Sequence, residues 1–140
     1  MLAAVAPGES TPEKTAPQPL YLVQRFVNSV DLETGEDEFE TPDALRDWLA
    51  ERDLIGARER VGPADLRRAV EVREGLRAIL LANNGLRLDE RKVGLLDAAA
   101  GRAGIRVRFR PGEEPRLEAG REGIDGALGR LLAIAAAAAE

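Results

Sequence analysis

Apolar residues recur at helical spacing over most of the chain and change to strict alternation in one short stretch. From Leu20 to about Leu32, the set Val23, Phe26, Val27 and Val30 predicts a first helix, with Gly35 as a nearby terminator; a strand is the alternative, because Val, Tyr and Phe also favour sheets. Thr41-Pro42-Asp43 starts a second helix: a hydroxyl cap, a proline at the first helical position, and a carboxylate against the helix dipole. Leu45, Trp48 and Leu49 lie on its inner side, Trp48 as a core anchor. After a connector over Asp53 to Gly62, Pro63 opens a longer helix that runs to about Ala82. Asn83-Asn84-Gly85 supplies residues that tolerate a left-handed stop.

Asp89 caps a fourth helix through about Ala100, with Val93, Leu95, Leu96 and Ala99 inward. Ile105-Arg106-Val107-Arg108-Phe109-Arg110 alternates, and a Pro/Gly loop over Pro111 to Pro115 leads to Arg116-Leu117-Glu118, so this pair predicts a β-hairpin. From about Ile124 a last helix takes Leu128, Leu131, Leu132 and Ala135 inward and runs through five alanines to Glu140 without a stop signal. The expectation is an α+β fold, mainly α, with about five helices and a two-stranded β-hairpin before the last one. Residues 1–19, with four prolines and almost no large apolar group, are expected to form a disordered tail, and residues 20–140 one domain.

Two polar features interrupt the apolar pattern. In the third helix Leu66, Ala69, Val70, Leu76, Leu80 and Leu81 form one apolar face, and Arg73 and Arg77 fall near its centre. A guanidinium in such a place must pair, either with helix-end carbonyls or a carboxylate such as Asp31 in a structural network or with an anionic ligand that its planar fork suits. In the first helix Asn28 and Asp31 sit beside the apolar stripe, where they would face solvent, cap a neighbouring element, or join the two arginines in a cluster between helices. Asn28, Asp31, Arg73 and Arg77 are therefore the candidate ligand-binding residues, for a small anionic or amide-bearing molecule.

Composition narrows the chemistry. With no cysteine and no histidine, the chain offers no thiolate, no Cys/His zinc site, no Ser-His-Asp triad and no histidine switch. No nucleophile paired with a base is evident, so the expectation is a protein that is not an enzyme and takes no cofactor or metal. The length suffices for a core without staples. The net charge of −5 is uneven: between Asp31 and Asp53 ten acids face two arginines, leaving −8 there and +3 elsewhere. Such a chain is a poor partner for nucleic acid by itself. Glu33, Glu36, Asp37, Glu38 and Glu40 do not follow calcium-loop spacing and predict a solvated acidic loop. Arg106, Arg108 and Arg110 predict the wet face of the hairpin, with Glu118 as cross-strand partner. Neither a membrane span nor a secretory signal is apparent, and a cytoplasmic location is expected. Arginine far outnumbers lysine beside abundant Ala and Gly, the coding bias of a GC-rich bacterium.

Taken in order, "LVQRFVNSVDLETGEDEFETPDALRDWL", "ADLRRAVEVREGLRAILLANNG", "IRVRFRP" and "DGALGRLLAIA" resemble the bacterial ABATE domain, the N-terminal half of CGNR zinc-finger proteins, over about residues 20 to 138. The family's Phe-Val-Asn-Thr motif and its following Asp fall on Phe26, Val27, Asn28, Ser29 and Asp31, with Ser29 a departure that keeps the hydroxyl. Its Leu-Arg-Glu-Ala-Leu-Arg pattern falls on Val72 through Arg77. The resemblance implies a stress-induced transcription regulator in which a Cys-rich basic finger contacts DNA while this domain senses or assembles. Without cysteine the finger is absent here, which is expected of a truncated longer protein or of a stand-alone relative. Two functions stay open: a ligand-sensing regulatory domain, or a homodimerisation module without a small-molecule ligand.

Overall fold

A computed structural model describes residues 18–138 and contains five helices and one hairpin: α1 (Gln18–Val27), α2 (Pro42–Glu51), α3 (Pro63–Asn83), α4 (Glu90–Ala103), β1 (Arg106–Arg108), β2 (Arg116–Glu118) and α5 (Gly123–Ala137). The expected α+β, mainly α architecture is the one observed. Of the expected disordered tail, residues 1–17 lie outside the described residues, while Gln18 and Pro19 already belong to α1. No helix of the described residues is long and apolar enough to cross a membrane.

Local chemistry fixes most boundaries. Thr41 Oγ1 accepts from Ala44 N at 3.0 Å, and Asp89 Oδ1 from Lys92 N at 3.2 Å, each satisfying one orphan donor of a helix start. Asp65 does this for α3 by reaching back to Gly62 N at 2.9 Å. Gly104, at φ +64°, ends α4 in the left-handed region. The first helix differs most from expectation, since it stops at Val27 instead of Leu32. Ser29 Oγ turns back to donate to Phe26 O at 2.7 Å, and Val30 then forms an isolated antiparallel bridge with Asp37. The strand tendency of this segment survives as that bridge.

The core joins one face of every helix. Val23, Phe26 and Val27 of α1 meet Leu45, Trp48 and Leu49 of α2, Ala69, Val72 and Leu76 of α3, Leu96 and Ala99 of α4, and Leu128 and Leu131 of α5. On α3 the buried face is rotated from the expected one: it includes Val72, Arg73, Gly75 and Ala78, whereas Leu80 and Leu81 are exposed near the helix end. α5 packs on α1, α3, α4 and β2. Gly129 brings it within reach of Ala103 and Ala119, where a Cβ would collide with the first methyl group and crowd the second.

The hairpin pairs Arg106 with Glu118, Val107 with Leu117 and Arg108 with Arg116 in antiparallel register. Glu118, opposite Arg106 in register, takes a hydrogen bond from Arg110 Nη1 at 2.9 Å and lies 3.9 Å from Arg108, so it pairs diagonally across the hairpin. Its alternate face is not folded inward. Val107, Phe109 and Leu117 are 50%, 76% and 38% exposed.

Candidate functional site

The polar cluster lies where the end of α1, the acidic loop and the middle of α3 converge. The loop is shaped by its own backbone: Asp31 N donates to Glu36 O at 2.7 Å, Gly35 N to Asp31 O at 2.7 Å, and Glu38 N to Ser29 O at 2.8 Å. Gly35 makes the turn at φ +81°, a conformation that favours glycine. Asp31 Oδ1 caps this turn by accepting from Glu33 N at 2.9 Å and Thr34 N at 3.3 Å. The loop folds back and delivers Asp37, not Asp31, to the buried guanidinium.

Arg73 is 3% exposed and donates through four hydrogen bonds: Nη1 to Asp37 Oδ1 at 2.8 Å, Nη2 to Asp37 Oδ2 at 2.9 Å, Nη1 to Ser29 Oγ at 3.1 Å, and Nε to Glu74 Oε2 at 3.1 Å. The paired bonds to Asp37 form the two-pronged geometry that a guanidinium and a carboxylate share. Phe39, two residues after Asp37, is buried with its ring centroid 5.5 Å from the guanidinium carbon. Arg77 sits one turn along, donating Nε to Glu74 Oε1 at 3.2 Å and Nη2 to Val27 O at 2.6 Å. That carbonyl belongs to the last turn of α1 and would otherwise lack an acceptor bond, so Arg77 closes the helix end.

The four candidate residues are thus divided by the fold. Arg73 and Arg77 share Glu74 as a common acceptor, whereas Asn28 is exposed and Asp31 serves its own turn. The expected Asp31–Arg73 pair is replaced by Asp37–Arg73, because the 30–37 loop needs its first carboxylate as a cap and its last as an anchor. Ser29 and Asp37 were not among the sequence candidates. Phe39 carried the available signal: one aromatic within a run of acids marks the point where the loop must touch the core.

The electrostatics match this geometry. The hydrogen bond from Arg73 holds the Asp37 carboxyl below the usual carboxylate range; partial burial pushes the other way, and the Phe39 N–H and the charges of Arg73 and Arg77 add to the lowering. A carboxylate whose folded pKa lies below its unfolded value contributes stability that is complete above the unfolded value and fades as pH falls through the folded one. Urea unfolding at stepped pH should therefore show stability falling as pH drops below about 4. Asp37→Asn, less stable at neutral pH, should show a shallower decline; parallel profiles would mean that Asp37 does not carry the acid sensitivity.

Two depressions flank this cluster and the far side of the fold. Arg77 borders a small cleft of about 250 Å³ with Glu74, Arg87, Asp89 and Lys92. A larger open groove of about 1190 Å³ runs along α5, between β2 and the 53–59 connector. One wall is fixed by Arg130, whose Nη2 donates to Leu54 O at 2.6 Å and Asp53 O at 3.3 Å. None of the four sequence candidates lines this groove. Among the described residues, no group of three or more acidic side chains could hold a metal ion.

No curated protein and no solved structure matches the chain. Residues 21–140 match the ABATE family, whose description reads "Putative stress-induced transcription regulator". The match spans the acidic loop, the Arg73 cluster and all of the core from Tyr21 onward, so the chain belongs to the ABATE family.

Proposed function

We propose that the chain is the non-enzymatic, cytoplasmic regulatory module of a stress-response transcription regulator, and that it works by bringing two copies together along the face formed by the hairpin and α5. The observation that carries this reading is the apolar face of Val107, Phe109 and Leu117, left open beside the α5 groove. Exposed apolar surface bordered by polar residues is a mark of association. The acidic loop disfavours contact with phosphates, so a module of this kind adds symmetry to a regulator rather than reading bases. Two-fold assembly is the usual means by which regulators address paired half-sites.

Sedimentation velocity over a wide concentration range tests the reading. A rise in mass toward a dimer is expected. A chain that stays strictly monomeric at every concentration overturns it.

A second reading rests on the Arg77 cleft. Arg77 borders this cleft, and Arg87 and Lys92 bring two more cations to it against the two carboxylates of Glu74 and Asp89, a net positive lining that suits an ion of phosphate or carboxylate size. In this reading the module senses a small anion, and Asn28, Asp31 and Arg73 shape the surrounding fold without touching it. Thermal unfolding with added inorganic phosphate should then show stabilisation that Arg87→Ala removes. Equal melting with and without phosphate excludes that ion.

A further inference from the structure

We propose that the two copies join edge to edge through β2, strand against antiparallel strand, with Leu117 on the two-fold axis. This rests on the association reading above and names its surface and register. Among the described residues the sheet has only two strands, so the edge of β2 that faces away from β1 has no strand beside it. Five consecutive residues, Pro115 to Ala119, line the groove, which means that the strand's edge, and not merely one of its faces, borders open space. An unpaired edge of this kind is a template for another strand.

The charges on the strand select the occupant. In an antiparallel pairing centred on Leu117, Arg116 lies opposite the partner subunit's Glu118, and Glu118 opposite the partner subunit's Arg116. The same operation on the outer edge of β1, centred on Val107, sets Arg106 against the partner subunit's Arg108 twice, and like charges directly opposite are unfavourable. Arg-Leu-Glu is self-complementary across a two-fold axis; Arg-Val-Arg is not. The β2 pairing also makes the apolar row continuous, because Val107 already lies opposite Leu117 within each hairpin. Four side chains would then share one face of a four-stranded sheet, where each hairpin alone leaves its pair half exposed or nearly so.

Existing contacts are compatible with this arrangement. Arg116 is exposed and holds only Glu113, three residues away on the turn, at 2.9 Å. Glu118 keeps its hydrogen bond to Arg110 through one carboxylate oxygen, while the other is 3.9 Å from Arg108. Both can meet a partner across the axis without breaking the hairpin register.

Charge exchange between two variants provides the test. In Arg116→Glu alone, and in Glu118→Arg alone, the axis sets like charges against each other, so each should dimerise at least about tenfold more weakly than wild type by analytical ultracentrifugation. An equimolar mixture sets opposite charges at both positions and should restore association as a heterodimer. Leu117→Asp, which touches no ion pair, should weaken the dimer similarly while melting as wild type does, and it keeps the test decisive if Glu118→Arg disturbs the hairpin. Wild-type dimers that are indifferent to Leu117→Asp and to the charge exchange overturn the β2 register and leave association standing. A strictly monomeric wild type overturns both, and gives the edge to a strand from another protein.

Discussion

Arg73→Ala should lower the free energy of unfolding by about 3–5 kcal/mol, the loss expected when one member of a buried ion pair is removed. Three effects act in the same direction. Asp37 loses both prongs of its partner, Ser29 and Glu74 each lose a donor, and the Phe39 ring loses the cation that covers it. Since domains of this size hold about 5–15 kcal/mol in total, the variant should unfold at clearly lower urea concentration. Arg73→Lys should recover little, because an ammonium is a point charge that cannot reproduce two parallel bonds to Asp37 while also reaching Ser29 and Glu74. Arg73→Ala combined with Asp37→Ala should cost less than the sum of the single changes, as partners in one network do. A loss below about 1 kcal/mol for Arg73→Ala would mean that the cluster behaves as a surface ion pair and does not anchor the loop.

Phe26→Ala should be of similar size, about 3–5 kcal/mol, for a different reason. Phe26 is fully buried, and its ring lies 5.7 Å from Phe39 and 5.8 Å from Trp48, which are themselves 5.5 Å apart in an edge-on arrangement. Its removal leaves a void at the meeting point of α1, α2 and the acidic loop, and the two remaining rings cannot fill it without giving up their own contacts. Trp48 is the only tryptophan, so its fluorescence reports directly on this site during unfolding. Phe26→Leu should cost markedly less, since it restores most of the volume. Equal losses for Ala and Leu would assign the effect to ring-on-ring geometry instead of to the void.

Phe26, Phe39 and Arg73 also show what could be read from the sequence. Arg73 was identifiable because a charge at the centre of an apolar helical face must be paired, whatever the fold. Its partner was not, because Asp37 stands among five acids that look alike along the chain, and only the closing of the 30–37 loop separates the anchor from the exposed ones. The starts of α2, α3 and α4 were legible because Thr41-Pro42, Pro63 and Asp89 act within one turn of where they stand. The end of α1 was not. It depends on Arg77, fifty residues away, taking the carbonyl of Val27. The hairpin followed from alternation, but alternation gives the two faces and not which of them the molecule covers, so the openness of Val107 and Phe109 emerged only with the position of α5.

The same helix carries a consequence for how the protein is made. α5 supplies Leu128 and Leu131 to a core whose first contributor, Val23, is translated before α2, α3, α4 and the hairpin. The closing contact between α1 and α5 is therefore the longest in sequence, and it is made on top of the contact between α1 and α3. A chain emerging from the ribosome must hold the apolar side of α1 against water, or against temporary company, until α5 arrives. Native structure at the first helix is thus set by the timing of the last, and nascent chains paused before Gly123 should be the form that binds chaperones and proteases most readily.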